Sequence, residues 1–221
     1  MTDVPSSPLS LVVLVSGNGS NLQALLSACA NGRIPARVSA VVSSEANAYA
    51  LVRAREAQVA TEVLCHRSFI GSRKDYDAQL AEKVERYQPG LVLLAGFMRV
   101  LTPTFVRQYR GRMLNIHPAL LPAFRGLHTH ARALASGVKV HGATVHFVTE
   151  ELDGGPIVTQ ARVPVLSGDT EASLAARVLV QEHIIYPQAV SWFATGCLRL
   201  AEDDSAWFDD RLIPPQGVSV E

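Results

Sequence analysis

The chain has 221 residues, 48% of them hydrophobic and 18% charged, with 20 Lys plus Arg against 20 Asp plus Glu. That length is near the upper end for one domain and suffices to bury a substantial core. The apolar content and balanced charge exclude a disordered chain or a polyelectrolyte binder, so no nucleic-acid partner is expected.

Three cysteines, Cys29, Cys65 and Cys197, are odd in number and lack metal-ligand spacing, which argues against a disulfide framework or a zinc site. Residues 1–10 carry no Lys or Arg, and the apolar run at 11–15 is too short for a signal-peptide core or a membrane span. A soluble, cytoplasmic protein with no membrane partner is the expectation.

Residues 11–15 form an unbroken apolar run ending in Ser16-Gly17-Asn18-Gly19-Ser20-Asn21, the pattern of a buried strand entering a tight turn. Leu22, Leu25, Leu26 and Cys29 then fall at helical spacing, and Asn31-Gly32 supplies a stop. Strand-like stretches at 38–42, 59–64 and 91–95 alternate with helix-like stretches at 46–57 and 74–87, which implies a parallel sheet with right-handed crossovers. A helix is expected from Pro103 to Tyr109, then a short strand at 113–116 with Asn115 and His117 at its end, the edge where such sheets place ligands. Residues 140–165 alternate around Asp153-Gly154-Gly155-Pro156 and read as an antiparallel pair joined by a turn. The last long helix begins near Asp169-Thr170 and runs to about Ala194, with a disturbance expected at Pro187. The fold class expected is α/β: a Rossmann-like, mostly parallel sheet flanked by helices, with an antiparallel C-terminal portion. A flexible N-terminus at 1–10, a single domain at 11–200 and a loosely held C-terminal extension at 201–221, which contains Pro214-Pro215, complete the expected organisation.

Gly19, Ser20 and Asn21 follow a strand and open a helix, so backbone N–H groups and the helix's positive end can converge on an anion. There is no third glycine for a dinucleotide pattern and no Gly-Lys-Ser/Thr, and a simple chain reversal remains the alternative. Asn115 and His117 project to one side of their strand and together could hold a carbonyl oxygen that becomes an oxyanion. An ordinary turn histidine before Pro118 is the competing reading. Asp153 precedes Gly154, a favoured turn pair, yet would orient and charge-stabilise His117 if it faced that ring. Leu174, Val178 and Glu182 recur at i+4, so Glu182 extends an apolar row, either at the core's rim or pointing into a cleft. His66, His128, His130, His141, His146 and His183 compose no metal set, and structural roles are expected for them.

Four segments in order, Val15-Ser16-Gly17-Asn18-Gly19-Ser20-Asn21-Leu22-Gln23, Leu94-Ala95-Gly96-Phe97-Met98-Arg99-Val100-Leu101, Leu114-Asn115-Ile116-His117-Pro118-Ala119-Leu120-Leu121-Pro122 and Leu152-Asp153-Gly154-Gly155-Pro156, closely resemble the folate-dependent formyltransferase family, and within it the members that formylate phosphoribosylglycinamide. The likeness runs from about Leu11 to Pro215. It implies that Gly19, Ser20 and Asn21 grip the substrate phosphate and that Glu182 meets the ribose hydroxyls. It also implies that 10-formyltetrahydrofolate lies against Met98, Arg99, Val100 and Leu101, near Asn115 and the backbone of 150–153, with Arg73 reaching its acidic tail. Asn115, His117 and Asp153 are the implied catalytic set, with no metal. Two departures concern one loop. Ala119 stands where many relatives carry serine, and Ala123-Phe124-Arg125-Gly126 is similar to the Arg-Gly form of methionyl-tRNA formyltransferases.

The implied reaction gives formylglycinamide ribonucleotide and tetrahydrofolate, a one-carbon step of de novo purine (IMP) synthesis. Formylation of methionyl-tRNA is the first rival, opposed by the short tail after Ala194 and the balanced charge. Hydrolysis of formyltetrahydrofolate is the second, opposed by the short stretch before the first strand. Formylation of a sugar amine and a folate- or nucleotide-binding module without catalysis also stay open, as does the choice between monomer and homodimer.

Overall fold

The structure, a computed structural model, describes residues 8–218. Residues 1–7 of the expected flexible N-terminus lie outside the described residues, and the first strand already begins at Leu9. The chain divides into two compact units, Met1–Met98 and Arg99–Glu221.

The first unit alternates β1 (Leu9–Val15), α1 (Ser20–Ala30), β2 (Ala36–Ser43), α2 (Tyr49–Glu56), β3 (Ala60–Val63), α3 (Arg73–Glu85) and β4 (Leu91–Leu94). Its strands are all parallel in the order β3-β2-β1-β4. Leu11, Val12, Val13, Leu14 and Val15 are fully buried, as the unbroken apolar run requires of a strand covered on both faces. On α1, Leu22, Leu25 and Leu26 form the buried stripe. The second helix starts later than its apolar spacing suggests, because Ser43 Oγ accepts from Glu45 N and donates to Glu45 O, turning the chain before Ala48. Ser16 gathers the strand ends: its N donates to Gly96 O, its Oγ bonds Ser44 Oγ at 2.7 Å and accepts from Met98 N at 2.9 Å.

The second unit holds α4 (Pro103–Gln108), β5 (Met113–His117), α5 (Thr129–Ser136), β6 (Val140–Phe147), β7 (Ile157–Pro164), α6 (Glu171–Ala194), β8 (Leu198–Leu200), β9 (Ala206–Phe208) and β10 (Arg211–Leu212). Strands β5, β6 and β7 pair antiparallel in that order, as the alternation at 140–165 predicts. Helix α6 packs on β6 and β7 and opens on a capping box between Thr170 and Ser173. It runs unbroken through Pro187, where a disturbance was expected, and Pro187 is buried with Tyr186, Ala189 and Val190, a packing that offsets the hydrogen bond proline cannot donate. The tail also departs from expectation. Rather than a loose extension, β8, β9 and β10 form an antiparallel sheet, and the Phe208 ring meets Trp192 of α6 at 4.7 Å between centroids. Farther on, Val218 N donates to Val158 O at 2.7 Å and Thr159 Oγ1 donates to Val218 O at 2.7 Å, holding the last described residues along β7. The protein is thus α/β, with a Rossmann-like parallel portion and an antiparallel C-terminal one.

Candidate active site

Because β5 stays extended through His117, Asn115 and His117 point to one face. Register does the rest: Asn115 is opposite His146 and His117 opposite Thr144 on β6, so four polar side chains share that face. His146 Nδ1 donates to Phe147 O at 2.9 Å, which leaves Nε2 as an acceptor, and Asn115 Nδ2 donates to it at 3.0 Å. Burial pushes the His146 pKa well below the usual imidazole range, so this ring is neutral and holds the Asn115 amide in one orientation.

Asp153 lies in the β6–β7 turn at a left-handed φ of 48°. Gly155, two residues on, passes so close to the Phe147 carbonyl that any Cβ would overlap it. Asp153 Oδ2 accepts from Gly126 N at 2.8 Å and lies 3.5 Å from His117 Nδ1, and its Oδ1 lies 3.7 Å from His146 Nε2. The side chains of His117 and Asp153 are only 6% and 9% exposed, and a carboxylate so covered demands such partners. The other ring nitrogen, His117 Nε2, donates to Phe124 O at 3.0 Å. Both nitrogens of His117 therefore face oxygens, the arrangement an imidazolium satisfies.

The loop that carries Phe124 is fastened at several points. Thr144 Oγ1 donates to Ala119 O and accepts from Leu121 N and from Gln160 Nε2, which also donates to Leu121 O at 2.8 Å. Arg132 Nη1 donates to Arg125 O at 2.6 Å, and Arg125 pairs with Glu151. Beneath it, His141 stacks edge-on with Phe124 and His130 at centroid distances of 5.8 and 5.3 Å. Burial lowers the pKa of His130 and pushes that of His141 down to about 4.

The glycine turn belongs to the first unit. Gly19 is the N-cap of α1 with φ 76°, and a Cβ there would come within 2.5 Å of Ala50 Cβ, so both backbone and packing demand glycine. No side chain caps α1, unlike α3 and α6, and the helix starts just after β1 ends, at the C-terminal edge of the parallel strands. A helix start of this kind can receive an anion.

The formyl transferase family model matches residues 9–190. The chain belongs to the formyl transferase family. It is 52% identical to the phosphoribosylglycinamide formyltransferase of Escherichia coli K12 over 96% of this chain and 100% of that one. The enzyme of the same name from Haemophilus influenzae is 43% identical over 96% of this chain and 99% of its own. The phosphoribosylglycinamide formyltransferase structure from Coxiella burnetii superposes with a TM-score of 0.90 at 45% identity, covering 96% of this chain and 98% of that one.

Within that family frame the expected residues fall as follows. Asn115, His117 and Asp153 converge in the second unit, and Gly19, Ser20 and Asn21 stand together at the start of α1. Met98 and Val100 expose apolar side chains, 65% and 50% accessible, whereas Leu101 is buried. Arg73 opens α3, and Glu182 lies in the buried row of α6 after Leu174 and Val178. Sequence reading gave His146 only a structural role and passed over Phe124. Thr144 was missed as well, although its alternation with His146 was a usable signal. Among the described residues no group of three or more His, Cys, Asp and Glu is arranged as a metal site, and no helix is long and apolar enough to cross a membrane.

Proposed function

We propose that the protein transfers the formyl group of 10-formyltetrahydrofolate to the amine of 5-phosphoribosylglycinamide, a step of purine synthesis. The observation that carries the reading is His117 held between Asp153 and a carbonyl oxygen, beside an Asn115 amide fixed by neutral His146. The neutral amine attacks the formyl carbon, and the carbonyl oxygen becomes an oxyanion. Asn115 donates its second Nδ2 hydrogen to that oxygen. His117 donates from Nε2, exchanging the Phe124 carbonyl for the substrate oxygen, while Asp153 balances the charge on the ring. The bond from the formyl carbon to the folate nitrogen then breaks, and the proton lost by the attacking amine reaches that nitrogen through Asp153 and water.

The cradle of Gly19, Ser20 and Asn21 takes the phosphate, Glu182 the ribose hydroxyls, and Met98, Arg99, Val100 and Leu101 the folate, with Arg73 on its acidic tail. The proposed setting is the cytoplasm, consistent with three free cysteines. Purified protein should consume 10-formyltetrahydrofolate only when phosphoribosylglycinamide is added. Consumption in water alone would make it a hydrolase, and binding of both substrates without turnover would make it a binding module.

A further inference from the structure

We infer that Arg53 is a positioning residue of the phosphate cradle: its guanidinium fork fixes the Asn18 loop in the shape the phosphate requires. The inference rests on reading Gly19, Ser20 and Asn21 as that cradle. Helix α2 is packed against the loop, since Ala50 N donates to Gly17 O at 3.1 Å and Ala50 fills the space beside Gly19. One turn along α2, Arg53 Nε donates to Asn18 O at 3.0 Å, Nη2 to Asn18 Oδ1 at 3.2 Å and Nη1 to Gln23 Oε1 at 3.2 Å. The guanidinium lies 4.9 Å from the centre of the Tyr49 ring, which steadies its plane. One rigid fork thus grasps the residue before Gly19 and the first turn of the helix after it.

A loop whose N–H groups converge on an anion must turn its carbonyls the other way. Glycine-rich chain pays the largest entropy to hold any such shape. By taking the carbonyl and the side-chain oxygen of Asn18 together, Arg53 orders the loop before substrate arrives, so that cost does not fall on binding. The contacts need the planar, three-way geometry of guanidinium, and an ammonium at the same place can serve one acceptor well. The side chain acts on affinity for the phosphate, not on the formyl transfer step.

The test measures kcat and both KM values for the wild type, Arg53→Met and Arg53→Lys, with the competitive inhibition constant of inorganic phosphate and the thermal shift that phosphate produces. Arg53→Met should raise the KM for phosphoribosylglycinamide and the phosphate inhibition constant in parallel by about tenfold, the factor of one charge-assisted hydrogen bond. The KM for 10-formyltetrahydrofolate and kcat at saturation should stay within about twofold. Arg53→Lys should recover less than half of the loss. If the Met variant does not fold, Arg53→Gln, which can reach one acceptor, takes its place. An unchanged phosphate constant, an equal rise in both KM values or full rescue by lysine overturns the proposal. If the wild type formylates nothing, yet phosphate stabilises it more than the Met variant, the functional reading fails and the clamp stands.

Discussion

Replacing Asn115 by alanine removes the amide donor that the proposed reaction places on the formyl oxygen. Loss of one such donor typically costs about 2.7 to 4 kcal/mol of transition-state stabilisation, so turnover should fall by roughly a hundredfold or more. His146 makes the test sharper, because its Nε2 accepts from Asn115 at 3.0 Å while its Nδ1 is committed to Phe147 O. Phenylalanine at 146 keeps a ring in that buried position and removes the acceptor. A neutral hydrogen bond is worth about 0.5 to 1.5 kcal/mol net, so the unheld amide should lower turnover by roughly two- to tenfold. Since that loss passes through Asn115, it should vanish when Asn115 is already alanine: the double variant should match Asn115→Ala within about twofold. The assay is kcat at saturating concentrations of both substrates for the four proteins, with urea midpoints to verify folding. Additive losses would refute the orienting role of His146, and near-wild-type turnover in Asn115→Ala would refute the donor itself.

Two further outcomes follow from buried groups. His141 falls from 6.5 to about 4 in the folded protein, so between those pH values the unfolded chain binds a proton the folded chain refuses, and stability drops as pH falls. At pH 5 the linkage amounts to about 2 kcal/mol. His141→Phe should lose that much of the decline between pH 7 and pH 5 in urea unfolding, with His130 and His146 titrating alike in both proteins. An undiminished decline refutes it. Asp153→Asn keeps a residue that tolerates φ 48° and can still accept from Gly126 N, so the thermal midpoint should hold while kcat falls by roughly a hundredfold or more. Loss of less than about threefold would mean that the charge is not used.

The parallel portion was legible because a strand covered on both faces writes itself as an unbroken apolar run, as residues 11–15 do. The shared face of Asn115 and His117 was legible on the same terms, since period two needs only an extended chain. His146 was not, because alternation on β6 places it with Thr144 but says nothing of the register that sets it opposite Asn115. Arg53 was hidden for a similar reason: it reads as one more basic residue on an exposed helix, and its acceptors are distant in sequence. Reading the tail from Pro214-Pro215 weighted local chain freedom over the packing of Phe208 on Trp192, which no local pattern announces.

The two readings of Asp153, turn residue and charge partner, prove compatible. The left-handed backbone that favours aspartate in the turn also carries its Oδ2 to Gly126 N and to within 3.5 Å of His117. That ring then has a carboxylate on one side and the neutral Phe124 carbonyl on the other. In the proposed reaction the Phe124 oxygen is exchanged for the formyl oxygen of the substrate, one neutral carbonyl for another, so the ground state gains little from the exchange. The gain comes as the formyl oxygen takes on negative charge, when a hydrogen bond from His117 becomes roughly twice as strong as its neutral counterpart. An interaction that is balanced before the reaction and strengthened during it raises turnover without tightening substrate binding. In the proposed reaction the contact between His117 and Phe124 therefore does not compete with catalysis. In that proposal it sets the zero from which His117 would discriminate the oxyanion from the formyl group.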